Sequence, residues 1–159
     1  MIRRAVHRLG ALETLDTVAV RLGGVVHRAL AGDGVKNLAS GTWLGHPLHP
    51  VLSDLPIGCW TCGAALDIAG GDAGRRAPEL LAVAGAVTAV PVLLSGFADW
   101  SDTNDADRRI GLVHAASGVA ALALYVTSFA ARLAGGHGAA RGLRLAGFGA
   151  AAAGGYLGG

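Results

Sequence analysis

Charge is scarce in this chain. Asp, Glu, Lys and Arg make up 15% of its 159 residues, where a soluble domain carries about 25%. The few charges sit in short clusters between long apolar runs. Hydrophobic residues account for 52% of the sequence and mean hydropathy is +0.49. That is the pattern of a small polytopic membrane protein rather than of a soluble helical bundle. No basic stripe interleaves with aromatics. The net charge of +2 comes from scattered arginines, so no nucleic-acid-binding surface is expected. No continuous apolar segment opens the chain, so residues 1–30 do not read as a secretory signal peptide. Cysteine is limited to Cys59 and Cys62. No second thiol pair is available to exchange with them, and burial of a thiol in hydrocarbon opposes thiolate chemistry. They read as small packing residues. The histidine spacing fits neither an H-E-x-x-H metalloprotease nor a C-x-x-C-H haem attachment site.

Small residues, by contrast, are plentiful. The 26 glycines suit membrane helices that approach closely. Residues 2–30 place apolar side chains such as Val6, Leu9, Leu22 and Val25 at helical spacing, with Arg4, Arg8, Arg21 and Arg28 in the polar complement. Residues 1–40 are therefore expected to be an amphipathic, interfacial helical segment, broken at Gly23-Gly24. Residues 31–45 read as a connector. Residues 41–159 form the second unit, a four-span transmembrane domain. Its spans are expected at about 50–69, 79–100, 110–131 and 143–159. Pro50 and Pro78 suit helix openings, and Pro91 is expected to kink the second span. Asp105 and Asp107 can cap the third. The fourth run reaches Gly159 without a polar flank, so the domain reads as cut at its C-terminal end. No internal repeat is evident. The fold class is all-α: an integral membrane four-helix bundle with an N-terminal amphipathic segment.

Topology then gathers the chemistry. Four crossings put the start of span one, the end of span two and the start of span three on one membrane face. Gly41-Thr-Trp-Leu-Gly-His-Pro-Leu-His-Pro50 opens that face, hereafter the signature face. His46, His49, Asp54, Asp99, Asp102 and His114 all belong to it. Asp54 and His114 lie about 6 Å inside their helices at 1.5 Å per residue. Ionisable groups at that depth are costly unless paired or coordinated. Imidazole with carboxylate suits iron, zinc or manganese, with His49, Asp54, Asp99 and His114 as the metal set. Two imidazoles from His46, His49 and His114 could instead hold haem b. A purely structural network is the competing reading, with Asp54 on His49 and Asp99 on Arg108 or Arg109. Trp43 and Trp100 mark the same interface, as an aromatic belt would. The N-terminal arginines turn the signature face to the cytoplasmic side of the cell membrane.

The motifs Gly41–Pro50, Leu55-Pro-Ile-Gly58, Ser95-Gly-Phe-Ala-Asp-Trp100, Gly111-Leu-Val-His-Ala115 and Gly154-Gly-Tyr-Leu-Gly-Gly159 resemble a bacterial four-helix membrane domain of unknown function, the 2231 family. The resemblance covers nearly the whole chain. It implies a frequent link to a Rieske-type iron–sulfur domain and, in relatives, a further histidine just after the final glycine motif. The family has no established activity, and whether the chain is an enzyme stays open. The function expected is a redox-linked membrane module, binding haem or a metal and serving or anchoring an iron–sulfur partner. The alternatives are a cofactor-free structural anchor or assembly subunit, and a proton-coupled transporter or channel. Lipid contact is expected, and a homo-oligomer is possible.

Overall fold

A computed structural model describes residues 2–30, 32–70 and 76–158. Seven α-helices follow one another among them: α1 (Ile2–Gly10), α2 (Asp16–Ala29), α3 (Asp33–Ser40), α4 (Leu48–Ala69), α5 (Arg76–Trp100), α6 (Asp105–Leu133) and α7 (His137–Gly158). The described residues contain no strand. The class is all-α, as the sequence indicates. Asp72 and Arg75 lie outside the described residues, as does Gly159.

The four long helices run 22, 25, 29 and 22 residues. At 1.5 Å per residue the shortest reaches about 33 Å, enough to cross a bilayer core of about 30 Å. Each starts before the position the sequence suggests. Pro50 and Pro78 sit within first turns rather than at first positions. A missing N–H costs nothing there, because first-turn N–H groups have no partner inside the helix. Pro56 and Pro91 lie inside α4 and α5 without ending them.

Apolarity is unevenly shared. Among the described residues, only α5 and α6 are both long and apolar enough to span a membrane on composition, with windows of hydropathy 2.1 and 1.7. Those windows are just 28% and 11% buried. A soluble protein would bury its most apolar helices; here Leu80, Val87, Leu94 and Val126 face outward. The hydropathy of α4 and α7 is diluted by glycine and by Asp54, Asp67, Arg141 and Arg144.

Packing runs through small residues. The α4 helix packs chiefly on α5, and α6 on α7. The core is Trp60, Ala82, Ala89, Ala121 and Tyr125, joined by Leu122 and Phe148. Alanine and glycine bring the backbones close enough for two large aromatics to fill the centre.

The N-terminal helices form a cap on the signature end. Arg109 at the start of α6 grips Asp16 with Nε and Nη2, both at 2.6 Å, and donates from Nη1 to the Gly10 carbonyl at 2.7 Å. Lys36 on α3 reaches Asp102 at 2.5 Å. Two expectations for this segment are corrected. The α2 helix continues through Gly23-Gly24, because a glycine pair costs only about 2 kcal/mol against alanine and α2 is braced along α5 and α6. The 31–45 connector contains α3, which Gly41 ends at φ 83°, in the left-handed region. A Cβ there would lie 2.5 Å from the His46 carbonyl oxygen, so only glycine makes this turn into the signature segment.

Candidate functional site

His49 stands in the first turn of α4 and His114 in the third turn of α6. Their rings meet inside the bundle, with centroids 5.8 Å apart and planes at 87°. His49 Nδ1 lies 2.9 Å from the Val92 carbonyl of α5, and His114 Nδ1 lies 2.7 Å from the Gly154 carbonyl of α7. A carbonyl can only accept, so Nδ1 carries the proton in both rings. In the neutral ring Nε2 is then left with a lone pair, the form in which imidazole binds metals. One helical turn after each accepting carbonyl stands a glycine. A Cβ on Gly96 would come within 2.8 Å of the His49 ring, and one on Gly158 within 2.6 Å of His114. The missing side chains are what let each ring dock. A cavity of about 130 Å³ adjoins the pair, lined also by Ser53, Trp60, Gly111 and Gly118.

The two histidines are docked alike because the bundle is a tandem repeat. Eleven residues beyond His49 on α4 is Trp60; eleven beyond His114 on α6 is Tyr125. These aromatics stack face to face, with centroids 4.4 Å apart and planes at 6°. Each packs on a glycine of its own hairpin. A Cβ would lie 2.3 Å from Trp60 at Gly85 and 2.9 Å from Tyr125 at Gly147. Gly85 precedes Gly96 by eleven, as Gly147 precedes Gly158. The α4–α5 and α6–α7 hairpins are therefore two parallel copies of one unit. They are related by an approximate two-fold along the bundle, with the histidine and aromatic pairs facing each other across it. The reading of no internal repeat is corrected here. The copies keep histidine and glycine, exchange Trp for Tyr, and invert their charges. Asp67, eighteen residues after His49, corresponds to Arg132, eighteen after His114.

Those charges close the far end of the bundle. Arg144 of α7 grips Asp67 of α4 with Nε to Oδ2 at 2.7 Å and Nη2 to Oδ1 at 2.6 Å, and both side chains are buried. Arg132 of α6 pairs with Glu79 of α5. Sequence reading missed Asp67, Arg144 and Glu79. The signal was present: a carboxylate and a guanidinium each lying inside an apolar helix, where they need one another.

The other expected site residues are placed differently. Asp99, on the last turn of α5, is half-buried and within Coulombic reach of His49 and Asp102. Asp54 is exposed and does not line the cavity. Five residues at about 100° each turn it about 140° away from His49 on α4. His46 is exposed, and its Nδ1 donates to the Pro47 carbonyl at 3.0 Å. Among the described residues, no three His, Cys, Asp or Glu side chains converge as a metal-binding group. The expected structural pairings are absent as well. Arg109 takes Asp16, and Arg108 takes the Thr103 carbonyl and Asn104. Trp43 is exposed, but Trp100 is buried, donating to the Arg108 carbonyl at 2.9 Å. A Cβ on Gly111 would lie 2.5 Å from it, so Trp100 closes the bundle end rather than joining a belt. Asn104 precedes α6 without a side-chain cap. Cys59 is half-buried and Cys62 exposed.

The chain belongs to the family described as "Predicted membrane protein (DUF2231)", whose family model matches residues 45–159. The match takes in all four long helices and both histidines, and it establishes a membrane protein in contact with lipid. Comparisons with curated proteins and with solved structures find no match.

Proposed function

We propose that the protein is a redox-linked module of the cell membrane that holds one transition-metal ion between His49 and His114. All four long helices cross the bilayer in this reading. The supporting observation is the paired docking of the imidazoles. Each has its Nδ1 proton committed to a backbone carbonyl, and each is locked by a glycine one turn on. Fixing the tautomer and the ring plane through an outer partner is how proteins prepare histidine ligands. The Ser53 hydroxyl, which lines the cavity, and water would supply oxygen donors beside the two imidazoles, a set suited to iron or zinc. A bound ion would supply a one-electron couple if iron, or Lewis acidity if zinc. A cavity of about 130 Å³ fits an ion with its waters, whereas a porphyrin is far larger. The fit favours an ion over haem b. A Rieske-type iron–sulfur domain is the partner the family resemblance implies, and it would dock at the signature end.

One observation favours a second reading. The edge-to-face packing and two carbonyl bonds already satisfy much of what two half-buried imidazoles need. A cofactor-free anchor would keep them as packing groups. Metal analysis of protein purified in mild detergent from the native host separates the two. The metal reading expects about one ion per chain, lost in His49→Ala and in His114→Ala. Metal-free protein that takes up neither iron nor zinc on titration defeats it. Topology is tested by cysteine labelling at Ser101 and Ala139, which must react from opposite sides of the membrane. Reaction from one side only rules out four crossings.

A further inference from the structure

A cleft of about 510 Å³ lies between α5 and α6 at the end of the bundle remote from the histidines. Its size falls within the usual range for small-molecule sites, about 300–1,000 Å³. Val83, Val87, Val126 and Phe129 wall it, and all four are exposed. The cleft therefore opens sideways onto the surface that faces lipid. Its floor is different. Tyr125 and Arg144 line it and are 3% and 8% exposed. Among the described residues, the Tyr125 hydroxyl and Arg144 Nη1 make no hydrogen bond, and neither is sealed away from accessible space. Arg144 spends Nε and Nη2 on Asp67. Two buried donors are left facing a cavity with apolar walls, a costly arrangement in lipid unless an acceptor arrives.

The charges select the acceptor. Arg144 is neutralised by Asp67, and Arg132 on the cleft wall by Glu79. The floor thus offers hydrogen-bond donors without uncompensated positive charge, and a neutral oxygen suits it better than a phosphate. The exposed valines give an apolar tail a way out to lipid. We infer that this cleft binds an isoprenoid quinone, with a ring carbonyl on Tyr125 Oη and Arg144 Nη1 and its tail between α5 and α6. Tyr125 stacks on Trp60, which lines the histidine cavity. The cleft and the histidine pair are thereby separated by one aromatic stack. The inference does not rest on the metal reading, since no residue of the cleft is a proposed ligand.

The test uses the full chain in phosphatidylcholine nanodiscs, with decylubiquinone as the probe and quenching of tryptophan fluorescence as the readout. Saturable quenching is expected, because Trp60 lies one ring from the floor. Tyr125→Phe keeps the stack and removes one hydrogen bond, so binding should weaken roughly three- to ten-fold. Val87→Phe fills the cleft from an exposed position where folding tolerates change, and should abolish saturation. Arg144 variants are avoided as primary tests, because they strand Asp67. Stripping metal with a chelator should leave quinone affinity unchanged. Three results overturn the inference: quenching that rises linearly without saturation, equal affinity in wild type and both variants, or displacement of the probe by phosphatidylglycerol. The last would assign the cleft to an anionic lipid.

Discussion

Neutralising one partner of the Asp67–Arg144 pair should damage the fold far more than removing both. The pair carries two short hydrogen bonds, at 2.6 and 2.7 Å. Side-chain exposure is 9% for Arg144 and 5% for Asp67. At that burial the lost partner is not replaced by water, and the remaining charge is stranded. Single replacements in such pairs cost about 3–5 kcal/mol, whereas an apolar pair of similar volume is often neutral. Asp67→Leu and Arg144→Met should each cost about that much. Asp67→Leu with Arg144→Met should cost less than either single change. The coupling energy should then be several kcal/mol, well above the few tenths seen for independent sites. The opposite flank of the bundle supplies an internal control. The Glu79–Arg132 pair there is 25% and 36% exposed, and Glu79→Gln should cost about 1 kcal/mol or less. Reversible unfolding in mixed micelles, followed by circular dichroism, measures all four variants. Single changes costing under about 1 kcal/mol, or a double variant costing the sum of its parts, would refute the reasoning.

Three further outcomes are expected. Gly96→Ala should push the His49 ring from the Val92 carbonyl, since the new Cβ would fall 2.8 Å from it; isothermal titration should show metal affinity falling about 10-fold or more, in line with loss of an outer partner. The Arg109 hydrogen bonds hold the Asp16 carboxyl below its ordinary value of 3.8 against the opposing effect of burial. The N-terminal cap should therefore stay docked above that value and loosen as pH falls through the lowered one. Proteolysis of residues 2–30 across a pH series reads this, and Asp16→Asn should be equally loose at pH 7. Replacing Cys59 and Cys62 together by alanine should leave metal content and melting temperature nearly unchanged, because one is half-buried and the other exposed; loss of metal in that variant would give the thiols a role.

Which groups meet was partly legible from chain direction alone. With alternating helices, the starts of α4 and α6 share an end, so His49 and His114 had to come to one face. Their rotation about the helix was not legible by that route. Asp54 has the right depth but the wrong azimuth, about 140° from His49, and depth says nothing of azimuth. The helix openings were set too late by two to six residues. Asp67 and Arg144 each fall inside an expected span, but chain direction alone does not say that they share one flank of the bundle. Trp100 looked like a belt residue for want of any sign that Gly111 leaves it a slot.

The repeat escaped for a deeper reason, and its departures from symmetry carry the functional argument. A two-fold bundle needs identity only where the copies meet on or near the axis. Two histidines, the two aromatics and the four glycines that seat them meet that need, and those glycines vanish among 26. Away from the axis the copies are free to diverge, and they have done so in a directed way. On the α4–α7 flank, Asp67 and Arg144 are buried and seal the seam. On the α5–α6 flank, Glu79 and Arg132 stay partly exposed and the seam opens into the cleft. Trp in one copy brings an indole to the histidine cavity; Tyr in the other brings a hydroxyl to the cleft floor. Symmetry thus accounts for the paired histidines, and broken symmetry for a cleft on one flank only. Restoring the symmetry tests this division: Tyr125→Trp should preserve the stack and the histidine pair while emptying the cleft of its hydroxyl, so metal content should hold as quinone affinity falls.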